Sequence, residues 1–140
     1  MGCCSFQIFL TSSDNLHVYE TSKIIFTSDK AGLLPLLEYI DRFSLYHQQV
    51  AIFDKIMGNG AALLSVLANC QKVYSPLGSQ LAISTLDKYR ISYHITNIVP
   101  YIRKTLMGEM CPMEKLSMHK DPAGFYAAVR DITSDRARKI

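Results

Sequence analysis

Two short blocks in this 140-residue chain combine residue types that can do chemistry. The first is Asp54-Lys55-Ile56-Met57-Gly58-Asn59-Gly60-Ala61-Ala62. An acid and a cation stand side by side, two glycines follow, and a run of helix formers begins at Ala61. Glycine lets backbone approach a ligand closely. The free N–H groups and positive dipole end of a following helix attract an anion. Asp54, Lys55, Gly58, Asn59 and Gly60 are therefore candidate ligand contacts. No Gly-Lys-Ser/Thr closes the block, so it is not a Walker motif. The same residues also suit a plain strand-to-helix turn, capped by Asn59 or Asp54.

The second block is Cys111-Pro112-Met113-Glu114-Lys115. Proline belongs at the first position of a helix, which makes Cys111 the N-cap residue. A helix start favours the thiolate, the nucleophilic form of cysteine. Glu114 follows one turn on, where a carboxylate serves as acid or base or closes the cap of its own helix. No histidine can be placed beside Cys111 from the sequence. Candidates for metal-independent catalysis are thus Cys111, Glu114, Asp54 and Lys55, and Cys111, Glu114 and Lys115 are candidate ligand contacts. Tyr101, Arg103 and Lys104 stand just upstream, either reaching a phosphate or forming a solvated helix face. Met107, Met110, Met113 and Met118 pack a loop or offer an adaptable surface.

The elements that must position these blocks follow from hydrophobic period and punctuation. Residues 1–14 show no clear period, and Leu16–Tyr19 and Lys23–Thr27 read as a hairpin. Its Glu20-Thr21-Ser22 link lacks the glycine or asparagine of favoured turns, which leaves the register open. A helix runs from Leu33 or Leu34 to Phe43, with Pro35 in its first turn. Val50–Phe53 is apolar without alternation, as a strand covered on both faces should be. Ala61–Ala68 is apolar nearly all round and reads as a buried helix. Val73-Tyr74 reads as a short strand closed by Ser75-Pro76-Leu77-Gly78. A helix over 79–89, a strand over 91–95, a short helix opened by Cys111-Pro112 and a last helix over 121–132 complete the chain. Alternating strands and helices predict a three-layer α/β/α domain with a mixed, mostly parallel sheet. It is one domain over residues 1–140, with 1–14 and 134–140 loosely ordered.

Composition narrows the function classes. Fifteen basic against 12 acidic residues give a net charge of +3, and the basic residues are not clustered with aromatics, so nucleic acid is not an expected partner. No apolar run approaches the length of a membrane span. The opening Met1-Gly2-Cys3-Cys4-Ser5-Phe6 fails as an acylation signal, because Phe6 stands where Ser or Thr is required. It also lacks the basic start and apolar stretch of a secretory signal. The four cysteines, Cys3, Cys4, Cys70 and Cys111, do not form a disulfide framework, which points to a reducing cytoplasm.

The Asp54–Ala62 block, Val99-Pro100-Tyr101-Ile102 and Gly108-Glu109-Met110 with the Cys111–Lys115 block resemble an uncharacterised bacterial family, a domain of unknown function. The resemblance runs from about Leu16 to Ile132. It implies the cytidine-deaminase-like fold but no reaction, since that family has no established activity. Family members tend to carry a Gly-Asp-Gly-like stretch where this chain reads Met107-Gly108-Glu109-Met110. Zinc deaminases hold their metal with a His or Cys at one helix start and a Pro-Cys-x-x-Cys at the next, beside a catalytic Glu. The corresponding segments here, Ser28-Asp29-Lys30-Ala31-Gly32 and Met57-Gly58-Asn59-Gly60, carry neither His nor Cys. His17, His47, His94 and His119 are scattered singly, unlike zinc ligands. The sequence therefore points to a zinc-independent protein, without cofactor, that binds a small anionic or nucleotide-like molecule. The alternatives are a metal-independent enzyme using Cys111 and Glu114, and a non-catalytic homo-oligomeric interaction protein.

Overall fold

A computed structural model describes residues 2–105 and 108–138, with side chains described for 4–105 and 108–133. The elements are α1 (Gly2–Thr11), β1 (Leu16–Glu20), β2 (Lys23–Ser28), α2 (Leu34–Phe43), β3 (Val50–Asp54), α3 (Asn59–Leu67), β4 (Cys70–Ser79), α4 (Gln80–Lys88), β5 (Ser92–Val99), α5 (Pro112–Ser117) and α6 (Pro122–Arg138). The five strands form one sheet in the order β2-β1-β3-β4-β5. β1 is antiparallel to both β2 and β3, whereas β3, β4 and β5 are parallel. The sheet is therefore mixed in equal parts, not mostly parallel, because β1 opposes both of its neighbours.

Strand alternation sorts the core into two faces. Val18, Ile52 and Val73 point to one side, where α2, α3, α4 and α6 supply Leu37, Leu64, Leu86 and Phe125. Tyr19, Ala51, Phe53 and Tyr74 point to the other, where α1 supplies Phe6 and Phe9. Every residue of β3 is buried, as its unbroken apolarity requires. Asp54 shares the parity of Val50 and Ile52, so it belongs to the helix-rich face.

Three sequence expectations change. Residues 1–14 contain a helix, because α1 is fixed by the sheet: Phe9 lies edge-on to His17 and both pack beside Phe53. Apolar residues fall on both sides of this helix, Phe6 and Phe9 inward and Ile8 outward, so they show no helical period. Ser75-Pro76-Leu77-Gly78 continues β4 instead of closing it. Pairing with β3 has ended at Tyr74, so Pro76 interrupts no ladder there, and the Ser75 hydroxyl donates to the Leu77 carbonyl while accepting the Leu77 N–H. The C-terminal helix continues past Ile132 to Arg138, so the expected loose tail is partly α6. In the hairpin turn, Thr21 adopts a left-handed φ of 57° in place of glycine, with a register shift at Val18/Tyr19.

Gly60 lies where α3 meets α6. A Cβ there would sit 2.6 Å from Phe125 Cζ, and Phe125 is fully buried. Overpacking of this kind costs about 1–3 kcal/mol. Gly60→Ala is expected to lower the urea midpoint accordingly, and adding Phe125→Leu to that variant should restore part of the loss. An unchanged midpoint in Gly60→Ala would show that α6 is not packed rigidly on α3.

Candidate functional site

The two sequence blocks meet. A pocket of ≈ 450 Å³ at the carboxyl end of β3 is lined by Asp54, Lys55, Gly58, Gly60 and Ala61 from the first block and by Cys111, Met113 and Glu114 from the second. Leu33, Ile56 and Ile102 add apolar wall, and Asn15, Ala31, Gly32, Arg103 and Lys104 also line it. This is where open α/β sheets place ligands.

What joins the blocks is Glu114, which is 2 % exposed. Its Oε1 accepts the N–H of Asn59 at 2.5 Å, and its Oε2 accepts the N–H of Ile102 at 2.5 Å. Glu114 therefore closes the start of α3, 55 residues upstream, not the start of its own helix. It also pins the segment leaving β5. Gly58 makes the approach fit, since a Cβ there would lie 3.2 Å from both Glu114 Oε1 and Ile102 Cγ1. With both oxygens engaged by backbone, Glu114 serves as an internal anion for α3 and not as a free acid or base.

Other candidates are also placed by the structure. Asn59 caps nothing: its Nδ2 donates to Ser117 Oγ at 3.0 Å and its Oδ1 accepts from Thr85, tying α3 to α5 and α4. The α3 N-cap is Gly58, without a side-chain cap. The Lys55 ammonium donates to the carbonyls of Asp14 (2.6 Å) and Ser12 (3.1 Å) and lies over the Phe9 ring, so it anchors the α1–β1 connection. Lys115 is exposed and lies outside the pocket lining. Gly60 is set by helix packing against Phe125. Cys111 does stand at the N-cap of α5, with no side-chain cap bond, and lines the pocket.

Asp54 is the exception among the acids. It is 8 % exposed, and Oδ1 receives the Ile56 N–H at 3.3 Å. No side chain bonds to it among the described residues. Burial pushes its carboxyl up to about 7, against the weaker opposing effects of the Ile56 and Lys55 backbone and the Lys55 charge.

Of Tyr101, Arg103 and Lys104, which the sequence offers either to a phosphate or as a solvated helix face, Arg103 and Lys104 line the pocket and Tyr101 does not. They lie on a loop, not a helix: Arg103 bridges to Met110, and Lys104 N–H donates to the Glu109 carbonyl at 2.9 Å. Both are exposed and line the pocket mouth. Met113 is a pocket wall, and Met107 lies outside the described residues. Ile102, whose N–H completes the Glu114 arrangement, carries no sequence signal, because a backbone donor is the same in every residue.

A family model described as a domain of unknown function, DUF1893, matches residues 6–133. The solved structures include a similar one, a DUF1893 family protein from Thermotoga maritima. It is 24% identical, with 91% of this chain and 86% of that chain covered and a TM-score of 0.81, which shows a shared fold. None of the curated proteins matches.

Two outcomes test this geometry. A carboxyl whose pKa is higher folded than unfolded binds its proton more tightly in the native state, so its contribution to stability is present at low pH and is lost as pH rises. For Asp54 the window runs from the ordinary 3.8 up to about 7. Unfolding free energies measured from pH 4.5 to 7.5 should therefore fall more in the native protein than in Asp54→Asn, and parallel curves would remove Asp54 as the cause. Glu114→Ala leaves one buried N–H, of Asn59, and one half-buried N–H, of Ile102, without acceptors, and an unsatisfied buried donor costs about 1–3 kcal/mol. Urea unfolding should show a loss of roughly 2–4 kcal/mol, with Glu114→Gln intermediate; a loss no larger than that of an average surface change would mean that water replaces the carboxylate.

Proposed function

This chain belongs to the DUF1893 family, a domain of unknown function, and we propose that it binds a small anionic, nucleotide-like molecule in the pocket at the end of β3. One observation carries the reading: the two chemistry-bearing blocks, separated by residues 63–110 of the sequence, line one pocket with apolar walls and two cations at its mouth. Ligand sites are typically concave and mostly apolar, with a few convergent polar groups. Leu33, Ile56, Ile102 and Met113 provide the walls, and Arg103 and Lys104 provide charge for a phosphate or carboxylate. The anion is drawn to the mouth and not to the α3 N-terminus, because Glu114 already occupies the Asn59 N–H.

The strand order, the hairpin lead and the parallel β3-β4-β5 run support a three-layer, cytidine-deaminase-like assignment. In that frame the chain is read as zinc-independent: Gly32 and Gly58 line the pocket where a deaminase would bring His or Cys. The described cysteines Cys4, Cys70 and Cys111 are free, in keeping with a cytoplasmic protein. No helix among the described residues is long and apolar enough to cross a membrane.

A thermal-shift screen of nucleotides and phosphorylated metabolites tests the reading. At least one compound should raise the melting temperature. A double Arg103→Ala, Lys104→Ala variant should bind it about tenfold or more weakly, since a charge-assisted contact is worth roughly 1.5–3 kcal/mol. The unliganded variant should melt within a degree or two of the native protein, both side chains being exposed. Silence across the whole screen would sink the proposal.

A further inference from the structure

The pocket is electrically lopsided. Its buried end holds Asp54, and its exposed mouth holds Arg103 and Lys104. Asp54 pairs with no cation among the described residues. The neighbouring Lys55 ammonium is held by the Ser12 and Asp14 carbonyls instead. A second carboxylate, Glu114, lines the same inner wall. An anionic group is repelled from that end and attracted to the other.

We infer that the ligand enters with a basic nitrogen foremost: the site takes a small molecule with an amine at one end, a ring-sized apolar body, and a phosphate or carboxylate at the other. The inference rests on the pocket being the ligand site, and it names the group that meets Asp54. A buried carboxylate without an ion-pair partner is costly, and an ammonium supplied by the ligand offsets that cost. Burial pushes the Asp54 carboxyl up to about 7 in spite of the opposing Lys55 charge. Apolar side chains between the two ends suit a body that needs no hydrogen bonds. The anion stays at the mouth, where Arg103 and Lys104 are hydrated and free to adjust.

Calorimetric titration with a matched pair separates this inference from the reading beneath it. Tyramine O-phosphate and 4-(2-hydroxyethyl)phenyl phosphate share an apolar ring with a phosphate at one end and differ only in carrying an amine or a hydroxyl at the other. At pH 8, where Asp54 is mostly ionised, the amine should bind at least tenfold more tightly. Asp54→Asn should remove the preference by weakening the amine compound at least tenfold, and a circular dichroism spectrum matching that of the native protein shows that the variant is folded. Equal affinities in the native protein, or a preference that survives Asp54→Asn, overturn the inference and leave the pocket as an anion site. Failure of both compounds to bind at millimolar concentration counts against the site itself, and the inference falls with it.

Discussion

The arrangement depends on one buried carboxylate. Glu114 is held by two backbone N–H groups from segments far apart in the chain, one at the start of α3 and one just beyond β5. A helix start leaves N–H groups unsatisfied, and an anion there is favoured by both hydrogen bonding and the helix dipole. An external anion could have filled that role. Here a side chain fills it permanently, and in doing so it fixes α5, and with it Cys111 and Met113, against α3. The pocket exists because this contact sets the distance between its two walls.

That arrangement changes what the glycine-containing loop can do. Gly58 and Gly60 looked like ligand-approach residues, yet each answers to packing within the protein: Gly58 to Glu114 and Ile102, Gly60 to Phe125. Asn59 is bound into a buried network with Ser117 and Thr85. Lys55 reaches toward the opposite side of the sheet, where it steadies the connection between α1 and β1. Once these are accounted for, the groups still open to a ligand are Asp54 within, Cys111 on the wall, and the two cations at the mouth.

The two faces of the sheet are built unequally. Among the described residues, α2 to α6 cover one face with mostly aliphatic side chains joined by Tyr39 and Phe125, whereas α1 covers the other with Phe6 and Phe9 against Tyr19, Phe53 and Tyr74. Large aromatics let one short helix bury enough area to hold its place. Phe53 and Tyr74 stack at 4.4 Å with their rings nearly parallel, carrying that layer across the β3–β4 pair. The pocket lies on the helix-rich face because Asp54 has the parity of Val50 and Ile52. A shift of one residue at the end of β3 would send that carboxyl under α1.

Hydrophobic period and punctuation along the chain were enough for the strands and helices with strong patterns: the first hairpin, α2 with its early proline, the fully buried β3, and α3. The sequence also marked the two blocks that line the pocket, because acid–glycine and cysteine–proline punctuation at element ends is local information. Only the tertiary structure decided what those residues are for. Glu114 could be read as capping its own helix, a contact three residues long, but which helix it caps depends on a fold that closes 55 residues of chain. Lys55 could be read as a ligand cation until α1 supplied carbonyls for it. Arg103 and Lys104 reach the pocket on a loop whose conformation is set by backbone contacts that no side-chain pattern records. Periodicity reports burial along one element; the identity of a partner across elements is a property of packing, and packing is settled by the whole chain.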